Sequence, residues 1–337
     1  MKIFLIGPIK SSFVQNDIKI LSKKNRLLLE NSVIGRGIKG IWNLFLLTLR
    51  SIFKTTKCDA VFCWFADYTT LIPSLLAKIF GKNIYVVAGG FDVTNLPEIN
   101  CGARLRPLRW FCVKNTFRLA DKIFPVSNYA QKQLITLTNV NEKKVKMIYN
   151  CIDTSLFSEE ITQSNRKFVL TVSQGDNWIE YIRKGTKRFI EIAKELKDTK
   201  FVIAGLRDQA LHLARKDAEN ALNIEIIPGP LDLYNEIVPL YKKSVAYCQF
   251  SIEETFGVAV LEAMICGSLP IVSEGGALPE IVSGSDAVVV RTKEDIFNAI
   301  AKAKALSNTE RVKLRDFAFR FDISEREQIL LNEIRCR

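Results

Sequence analysis

The sequence is poor in the residues that build metal and disulfide sites. Histidine occurs once, at position 212, and the eight cysteines are scattered without a C-x-x-C pair. Since zinc sites and disulfide frameworks use clustered Cys and His residues, neither is indicated. No Asp-x-Asp pair lies near the strands of the second half, so the sequence requires no divalent metal. We expect free thiols in a reducing cytoplasm, with no metal and no cofactor.

Long apolar runs are also missing. The most membrane-like stretch, GIWNLFLLTLRSIF at residues 40–53, contains Arg50 and is shorter than the ~20 apolar residues of a spanning helix. The amino-terminal MKIFLIGPIK has a short apolar run and no small-residue cleavage site, so we expect a first strand there rather than a signal peptide. The sequence therefore predicts no transmembrane segment.

Acidic residues are scarce in the first half only. Residues 1–150 hold 23 Lys and Arg against 8 Asp and Glu, a net +15; the remainder holds 25 against 28, a net −3, which together give +12. A basic half with an apolar helix at 40–53 suits a face resting on anionic lipid headgroups. The alternative is a solvated basic surface around a core helix. The flanking basic residues are Arg36, Lys39, Arg50, Lys54 and Lys57.

Nucleic-acid binding is a third interpretation of the basic half. The sequence has no helix-turn-helix, zinc-finger or RNP-like pattern. We therefore expect no nucleic-acid partner.

Strand-like and helix-like segments alternate along the chain, and its 337 residues are enough for two domains. Short apolar runs between turn residues indicate parallel βαβ units, so we predict two doubly wound α/β domains with ligands at the carboxyl ends of the strands. The predicted strands are 2–7, 60–65, 83–89, 122–127, 168–173, 201–205, 223–229, 244–250, 269–273 and 287–290, with a helix at 187–197.

The domain boundary is predicted in the polar stretch around Ser158 to Lys167. This gives an amino-terminal domain at 1–158, a second domain at 159–320 and a carboxyl-terminal helix within 321–337. In that last segment, DISEREQILLNEI, Ser324 is a candidate N-cap and Glu327 stands at the capping-box spacing.

The stretch EETFGVAVLEAM, residues 253–264, places carboxylates in apolar company. We expect Glu254 in the loop that leaves a strand and a helix that begins near Phe256-Gly257. The amides near Thr255 to Val258, at the start of this helix where N–H groups have no intrahelical partners, would hold a diphosphate, and Gly257 would let it approach closely. Carboxylates on either side, Glu254 and Glu262, would accept bonds from sugar hydroxyls, as a nucleotide sugar requires. The alternative is that Glu253 and Glu254 only favour the helix dipole and Glu262 lies on the surface.

Residues 253–282, EETFGVAVLEAMICGSLPIVSEGGALPEIV, resemble the paired-glutamate signature and Gly-Gly loop of retaining glycosyltransferase family 4. Further segments resemble the family in the same order, namely ADKIFPVSNYAQKQL (120–134), VKMIYNCIDTSLF (145–157), FVLTVSQ (168–174) and RKGTKRFIEIAKEL (183–196). The resemblance implies the GT-B fold: two Rossmann-like parallel-sheet domains facing across a cleft, with the carboxyl-terminal helix returning to the first.

The resemblance also implies roles for single residues. Glu254 would contact the hydroxyls of the donor sugar, Glu262 the ribose, and Lys184 the diphosphate, whose developing charge needs a fixed cation. Gly275 and Gly276 would form the loop after the next strand.

In the first domain, Gly89, Gly90 and Asp92 match the place where the family approaches the sugar. There Asp92 would accept a hydrogen bond from a hydroxyl. The alternative is that this loop is simply a turn.

Two departures from the family pattern stand out. Many members carry a histidine in the first-domain loop, whereas His212 lies in a helical stretch of the second domain and is expected on its surface. Gln174 stands where the family has an arginine, and we expect Arg183 to substitute for it.

The resulting expectation is a metal-independent retaining hexosyltransferase. It would move a sugar from a UDP- or GDP-linked donor to a hydroxyl of a glycan or lipid-linked acceptor, in polysaccharide or lipopolysaccharide biosynthesis. A cytoplasmic location is expected, with peripheral attachment to the inner face of the membrane left open. The alternatives are a nucleotide-sugar-binding protein without transferase activity and a GT-B epimerase or phosphorylase.

Overall fold

The chain forms two compact units in a computed structural model that describes residues 1–33, 37–157, 161 and 166–334. The first unit comprises Met1–Cys151 and Ile323–Arg337, and the second comprises Ile152–Asp322. The carboxyl-terminal segment therefore belongs to the first unit, as predicted.

The first unit is built on a five-stranded parallel sheet with the order β2-β1-β3-β4-β5. Its strands are β1 Lys2–Gly7, β2 Arg26–Asn31, β3 Ala60–Trp64, β4 Asn83–Ala88 and β5 Lys122–Pro125. The helices between and after them are α1 Ser12–Ser22, α2 Gly37–Thr56, α3 Tyr68–Ile79, α4 Pro107–Leu119 and α5 Asn128–Thr138.

The second unit is built on a six-stranded parallel sheet with the order β11-β10-β9-β6-β7-β8. Its strands are β6 Phe168–Val172, β7 Phe201–Ala204, β8 Ile224–Ile227, β9 Ser244–Gln249, β10 Leu269–Ser273 and β11 Val288–Val290. Its helices are α6 Trp178–Arg183, α7 Thr186–Glu195, α8 Asp208–Asp217, α9 Val238–Lys243, α10 Val258–Ile265, α11 Leu278–Val282, α12 Lys293–Ala305 and α13 Asn308–Ala318.

Every predicted strand is present, and the prediction of two doubly wound sheets is confirmed. The central strands are largely apolar and buried along their length, such as AVFCW in β3 and SVAYCQ in β9. Parallel strands covered by helices on both faces require this composition. The sequence analysis did not predict β2, an edge strand with the sequence RLLLEN.

The two units divide between residues 151 and 152, ahead of the predicted boundary at 158. The segment that follows is tied to the end of the second unit, since Ile152 N donates to Phe321 O over 2.9 Å. Thr154 N also donates to Asp322 Oδ2 over 3.2 Å. Most of the predicted boundary stretch, 158–160 and 162–165, lies outside the described residues.

The last helix, α14 Ile323–Glu333, begins one residue before the predicted N-cap Ser324. That capping prediction is wrong, because Ser324 already lies in the first helical turn. The end of the chain, residues 335–337, lies outside the described residues.

A buried ion pair fixes α14 to α1 within the first unit. Arg326 Nε and Nη2 donate to the two carboxylate oxygens of Asp17 over 2.6 and 2.8 Å, and Trp64 Nε1 donates to the same carboxylate over 2.9 Å. A third nitrogen of Arg326 donates to the carbonyl of Tyr149 over 2.9 Å. Because every charge here is paired and hydrogen-bonded, the burial of the pair is tolerated.

The sequence analysis predicted no membrane-spanning helix and free cysteine thiols, and the described residues bear on each. Within them, no helix combines the length and the apolar character needed to cross a bilayer. The seven described cysteines are all buried thiols, and Cys336 lies outside the described residues.

Candidate functional site

The candidate site lies where three neighbouring strands of the second unit end. β10, β9 and β6 are adjacent in the sheet, and the loops from their carboxyl ends carry Glu274, Glu254 and Gln174 respectively. The carboxyl edge of a doubly wound sheet is where ligands bind. The loop after β9 runs to Gly257, whose φ of +98° is in the left-handed region, and α10 begins at Val258, close to the predicted start.

Glu254 is held by three donors that converge on one of its carboxylate oxygens. Oε2 accepts from Lys184 Nζ at 2.7 Å, from Gln249 Nε2 at 2.8 Å and from Ser251 Oγ at 3.4 Å. Within the described chain, no bond is made to Oε1, and the side chain keeps 13% of its surface exposed. The carboxylate is thus fixed through one oxygen, while the other is available to a ligand.

Charge around Glu254 favours its ionised form. Burial opposes ionisation, but the charges of Lys184 and Arg183 and the hydrogen bonds from Lys184 and Gln249 outweigh it and hold the pKa of Glu254 below its usual value. Glu254 is therefore an anion at neutral pH, and Lys184 is kept at the site by its partner.

Gln174, which stands where the family has an arginine, and Arg183, its expected substitute, have different surroundings. Arg183 pairs with Glu180 at 2.7 Å and donates through Nη1 to the backbone carbonyl of Glu253 at 3.1 Å, so it braces the loop after β9. Gln174 is exposed, and its Nε2 lies 3.5 Å from the carbonyl of Leu231. Direct contact between either side chain and a donor stays a prediction.

Glu262 is buried rather than on the surface, which rules out the alternative given for it. It lies on α10 with 7% of its area exposed, and Tyr241 Oη donates to its Oε2 over 3.2 Å. Burial raises the pKa of Glu262 to about 7, although the hydrogen bond from Tyr241 acts in the opposite direction. Glu262 therefore changes protonation state near neutral pH.

The loop before α10 presents its backbone rather than its side chains. Phe256 is buried, with its ring 5.8 Å from that of Phe321, so only its amide is a candidate anion donor. Thr255 and Val258 are half-buried. Gly276 packs on this loop so closely that a Cβ there would lie 2.3 Å from the carbonyl oxygen of Glu254. Glycine at 276 thus lets the loops after β9 and β10 touch.

The candidate loop of the first unit, which follows β4, is organised around Asp92. Its Oδ1 accepts from the amides of Gly90 at 2.9 Å and Gly89 at 3.4 Å, and its Oδ2 accepts from the amide of Ala66 at 3.1 Å. Burial raises the pKa of Asp92 to about 6. Asp92 is 2% exposed, so its evident role is to hold this turn, and a bond to a sugar hydroxyl stays a prediction.

Two arginines lie over the aromatic ring of the same loop. The guanidinium carbons of Arg109 and Arg106 are 4.2 and 5.8 Å from the centre of the Phe91 ring. Arg109 also pairs with Asp67, whereas Arg106 is exposed. This edge of the first unit therefore presents positive charge beside an aromatic face.

Sequence reasoning missed the residues that hold the two glutamates. Gln249 is a polar residue at the end of the largely apolar strand β9, and Ser251 follows two residues later, which was an available signal for a site. Tyr241 gave no signal, because a tyrosine in a helix is usually a packing residue. His212 is exposed on α8, as predicted. Among the described residues, no group of three or more His, Cys, Asp or Glu is placed to hold a metal.

Comparison with known families decides what kind of protein carries this site. Residues 155–319 match the family described as Glycosyl transferases group 1, and residues 31–156 match the family described as Glycosyltransferase Family 4. The chain belongs to the group 1 glycosyltransferases. Together the two matches span both units of this glycosyltransferase, including the loops that carry Asp92, Lys184 and Glu254.

Two relatives of this group 1 glycosyltransferase are similar over part of their length. The O-antigen chain mannosyltransferase RfbU of Salmonella typhimurium is 24% identical over 229 residues, which cover 66% of this chain and 62% of that protein. The N,N'-diacetylbacillosaminyl-diphospho-undecaprenol alpha-1,3-N-acetylgalactosaminyltransferase of Campylobacter jejuni is 28% identical over 195 residues, covering 57% and 47%. The chain thus matches about half to two thirds of the length of these relatives.

Solved structures establish the fold. The Anabaena protein Alr3699/HepE, in a crystal structure with UDP and glucose, superposes with a TM-score of 0.76 at 14% identity and covers 99% of each chain. At this identity the likeness concerns the fold alone. The group 1 glycosyltransferase described here has the GT-B fold, as the sequence analysis predicted.

Proposed function

We propose that this protein transfers a sugar from a nucleotide-diphosphate sugar to a hydroxyl of a glycan or lipid-linked acceptor, with retention at the anomeric carbon. The observation that carries the proposal is the arrangement of Glu254, fixed through one oxygen by Lys184, Gln249 and Ser251, with its second oxygen unused by the described residues. It stands directly before the amino end of α10, where backbone amides lack helical partners.

The donor would lie across this end of α10. Glu254 would accept hydrogen bonds from the sugar hydroxyls, and the amides from Thr255 to Val258 would bind the diphosphate. Glu262, further along α10, would accept a hydrogen bond from a ribose hydroxyl. The second unit is thus the proposed donor side. A UDP-linked donor is favoured over a GDP-linked one by the crystal structure of HepE with UDP-glucose.

Lys184 would supply the positive charge that the departing diphosphate requires. Its ammonium group has three N–H donors and uses one for Glu254. As the bond from the anomeric carbon to the phosphate oxygen breaks, charge develops on that oxygen, and a fixed cation and fixed amides stabilise it. In this proposal they do so without a metal ion.

Retention follows from the direction of attack. The acceptor hydroxyl would attack the anomeric carbon on the face from which the diphosphate leaves, and the departing phosphate would take the hydroxyl proton. Neither Glu254 nor Glu262 acts as a covalent nucleophile. Catalysis would rest on positioning and charge stabilisation.

The first unit is the proposed acceptor side. Arg106 and Arg109 beside Phe91 would suit an acceptor with a phosphate or diphosphate group, since guanidinium groups bind such anions well. The names of the Salmonella and Campylobacter relatives, an O-antigen mannosyltransferase and a diphospho-undecaprenol-dependent enzyme, agree with this class. Such an acceptor would place the protein in the cytoplasm at the inner face of the membrane.

Transfer can be tested with a panel of UDP-, GDP- and ADP-sugars and with undecaprenyl-diphosphate glycans as acceptors. We expect nucleotide release that depends on the acceptor, and NMR of the product should show the anomeric configuration of the donor. An inverted product would disprove the retaining mechanism. Tight donor binding without transfer or hydrolysis would favour a nucleotide-sugar-binding protein. Nucleotide release only in the presence of an acceptor would argue against an epimerase or phosphorylase.

A further inference from the structure

Helix α2 exposes most of its large apolar residues. Among the residues of α2 whose burial is described, the fully buried ones are few and mostly small or polar, namely Gly40, Leu47, Ser51 and Thr55. Its exposed residues include six large apolar ones, with exposed fractions of 40–71%: Ile41, Trp42, Phe45, Leu49, Ile52 and Phe53. A surface helix of a globular protein normally has the opposite arrangement.

The neighbouring helices continue this surface. α2 packs against α3, and α3 packs against α4. Because right-handed crossovers lead from β2 to β3 to β4 to β5 in one direction across the sheet, all three helices cover the same sheet face. The outer sides of α3 and α4, together with the residue that follows α3, add exposed Leu75, Ile79, Phe80, Leu108 and Phe111. We call these residues and the exposed residues of α2 the three-helix surface.

Basic side chains border the three-helix surface and lie against its aromatic rings. Lys57 Nζ is 3.7 Å from the centre of the Phe53 ring, and Lys82 Nζ is 5.7 Å from that of Phe80. Lys39 is exposed at the start of α2. The nearby acid Glu30 is paired with both Arg50 and Lys54. Arg36, which the sequence analysis included in this basic set, lies outside the described residues.

We propose that the three-helix surface docks on an anionic lipid bilayer. Apolar and aromatic side chains on one face of a helix enter the boundary between headgroups and acyl chains, while bordering lysines attract anionic lipids. The basic residues around the surface favour an anionic bilayer over a second copy of the chain, since a symmetric dimer would bring two sets of lysines together. The unit carries a net +15 over residues 1–150, so its field favours a negatively charged surface.

The proposal concerns the first unit alone and does not depend on the donor site. A protein that binds vesicles without transferring sugar would leave it intact. A protein that transfers sugar without binding vesicles would overturn it and leave the proposed function intact. The test is cosedimentation of the full chain with phosphatidylcholine vesicles, with and without phosphatidylglycerol. We expect the wild-type protein to sediment with the anionic vesicles and to bind neutral vesicles at least about tenfold more weakly, as a cluster of lysines implies.

Variants separate the apolar and basic contributions. The double substitution Trp42→Ser with Phe45→Ser should lower binding to anionic vesicles by about tenfold or more, because it removes two interfacial aromatic anchors. Lys39→Gln with Lys57→Gln should reduce the preference for anionic over neutral vesicles. The control Leu222→Ser alters a fully exposed leucine of the second unit and should leave binding unchanged.

Three results would overturn the proposal. The first is equal sedimentation of the wild type with anionic and neutral vesicles, and the second is undiminished binding by the Trp42→Ser, Phe45→Ser variant. The third is a wild-type dimer in light scattering that the same double substitution converts to a monomer, because the surface would then be covered by a second copy. Circular dichroism of each variant checks that the fold is kept.

Discussion

Helices α2 and α10 are both rich in apolar residues, yet the structure uses them in opposite ways. In α10 the apolar side chains are buried around the helix, including Val260, Leu261 and Met264. In α2 most of the large apolar side chains face outward, and the buried residues include Ser51 and Thr55 beside Leu47. An apolar helix is therefore expected to be buried all round only when the residues that face the sheet are large and apolar as well.

The two helices also differ in how they hold acidic groups. Glu262 lies within α10 and is contacted by the hydroxyl of Tyr241, without a cation among its hydrogen-bond partners in the described chain. Glu30 lies beside α2 and is paired with Arg50 and Lys54. The unpaired arrangement at α10 is the costly one, and such arrangements concentrate at functional sites.

The difference in burial predicts the largest effect. Leu261→Ala should lower the free energy of unfolding by about 2–5 kcal/mol, because it leaves a cavity in a packed core. The same change in α2, Leu49→Ala, should cost about 0.5 kcal/mol or less. Urea denaturation of both variants measures the two values. Similar costs would mean that α2 is covered in solution.

A lysine beside the amino end of α10 should contribute to catalysis, whereas an exposed lysine nearby should not. Lys184→Met should lower kcat/KM for transfer by about 10²–10³, the usual effect of removing one group that stabilises developing charge. Lys187→Met, an exposed lysine three residues away, is the matched control and should change little. Equal losses in both variants would point to a general charge effect rather than to the site.

Protonation of Glu262 should give the smallest effect. Since burial raises the pKa of Glu262 to about 7, nucleotide affinity should fall by up to about tenfold per pH unit as pH drops below that value. Glu262→Gln should flatten this dependence, and Glu219→Gln, at an exposed position, should not. Calorimetric titration with the nucleotide at several pH values provides the measurement. An unchanged slope in Glu262→Gln would remove Glu262 from the nucleotide site.

Stability should change with pH in the opposite direction to nucleotide affinity. Between the ordinary value of 4.5 and the folded value of about 7, the folded state holds a proton on Glu262 that the unfolded state has lost. The free energy of unfolding contributed by this group therefore falls as pH rises through that window. Glu262→Gln should remove this fall.

The sequence predicted the sheets well because their central strands are buried on both faces and read as apolar runs between turn residues. It missed β2, because RLLLEN lacks the β-branched residues that mark strands and its place at the sheet edge leaves it half-exposed. The capping prediction at Ser324 failed because Asp322 ends the second unit and the helix follows at once.

The candidate ligand-binding residues of the site were predictable, but the residues that hold them in place were not. The order of Glu254, Gly257 and Glu262 indicated a loop followed by a helix, which the structure has. The convergence of Lys184, Gln249 and Ser251 on one oxygen depends on three segments meeting in space, and no local pattern encodes that. The exposure of the apolar residues of α2 could not be predicted either, because periodicity shows which residues share a helix face but not whether another element covers that face.

Isothermal titration calorimetry of the wild type and Glu254→Ala with UDP-, GDP- and ADP-sugars tests the central claim most directly, with Glu219→Ala as the remote control. If Glu254 reads the donor sugar, one donor binds, and Glu254→Ala weakens the sugar nucleotide by roughly 10-fold to 100-fold while the free nucleotide is affected far less. Equal weakening of both ligands, or no binding of any nucleotide by the wild type, would contradict the account.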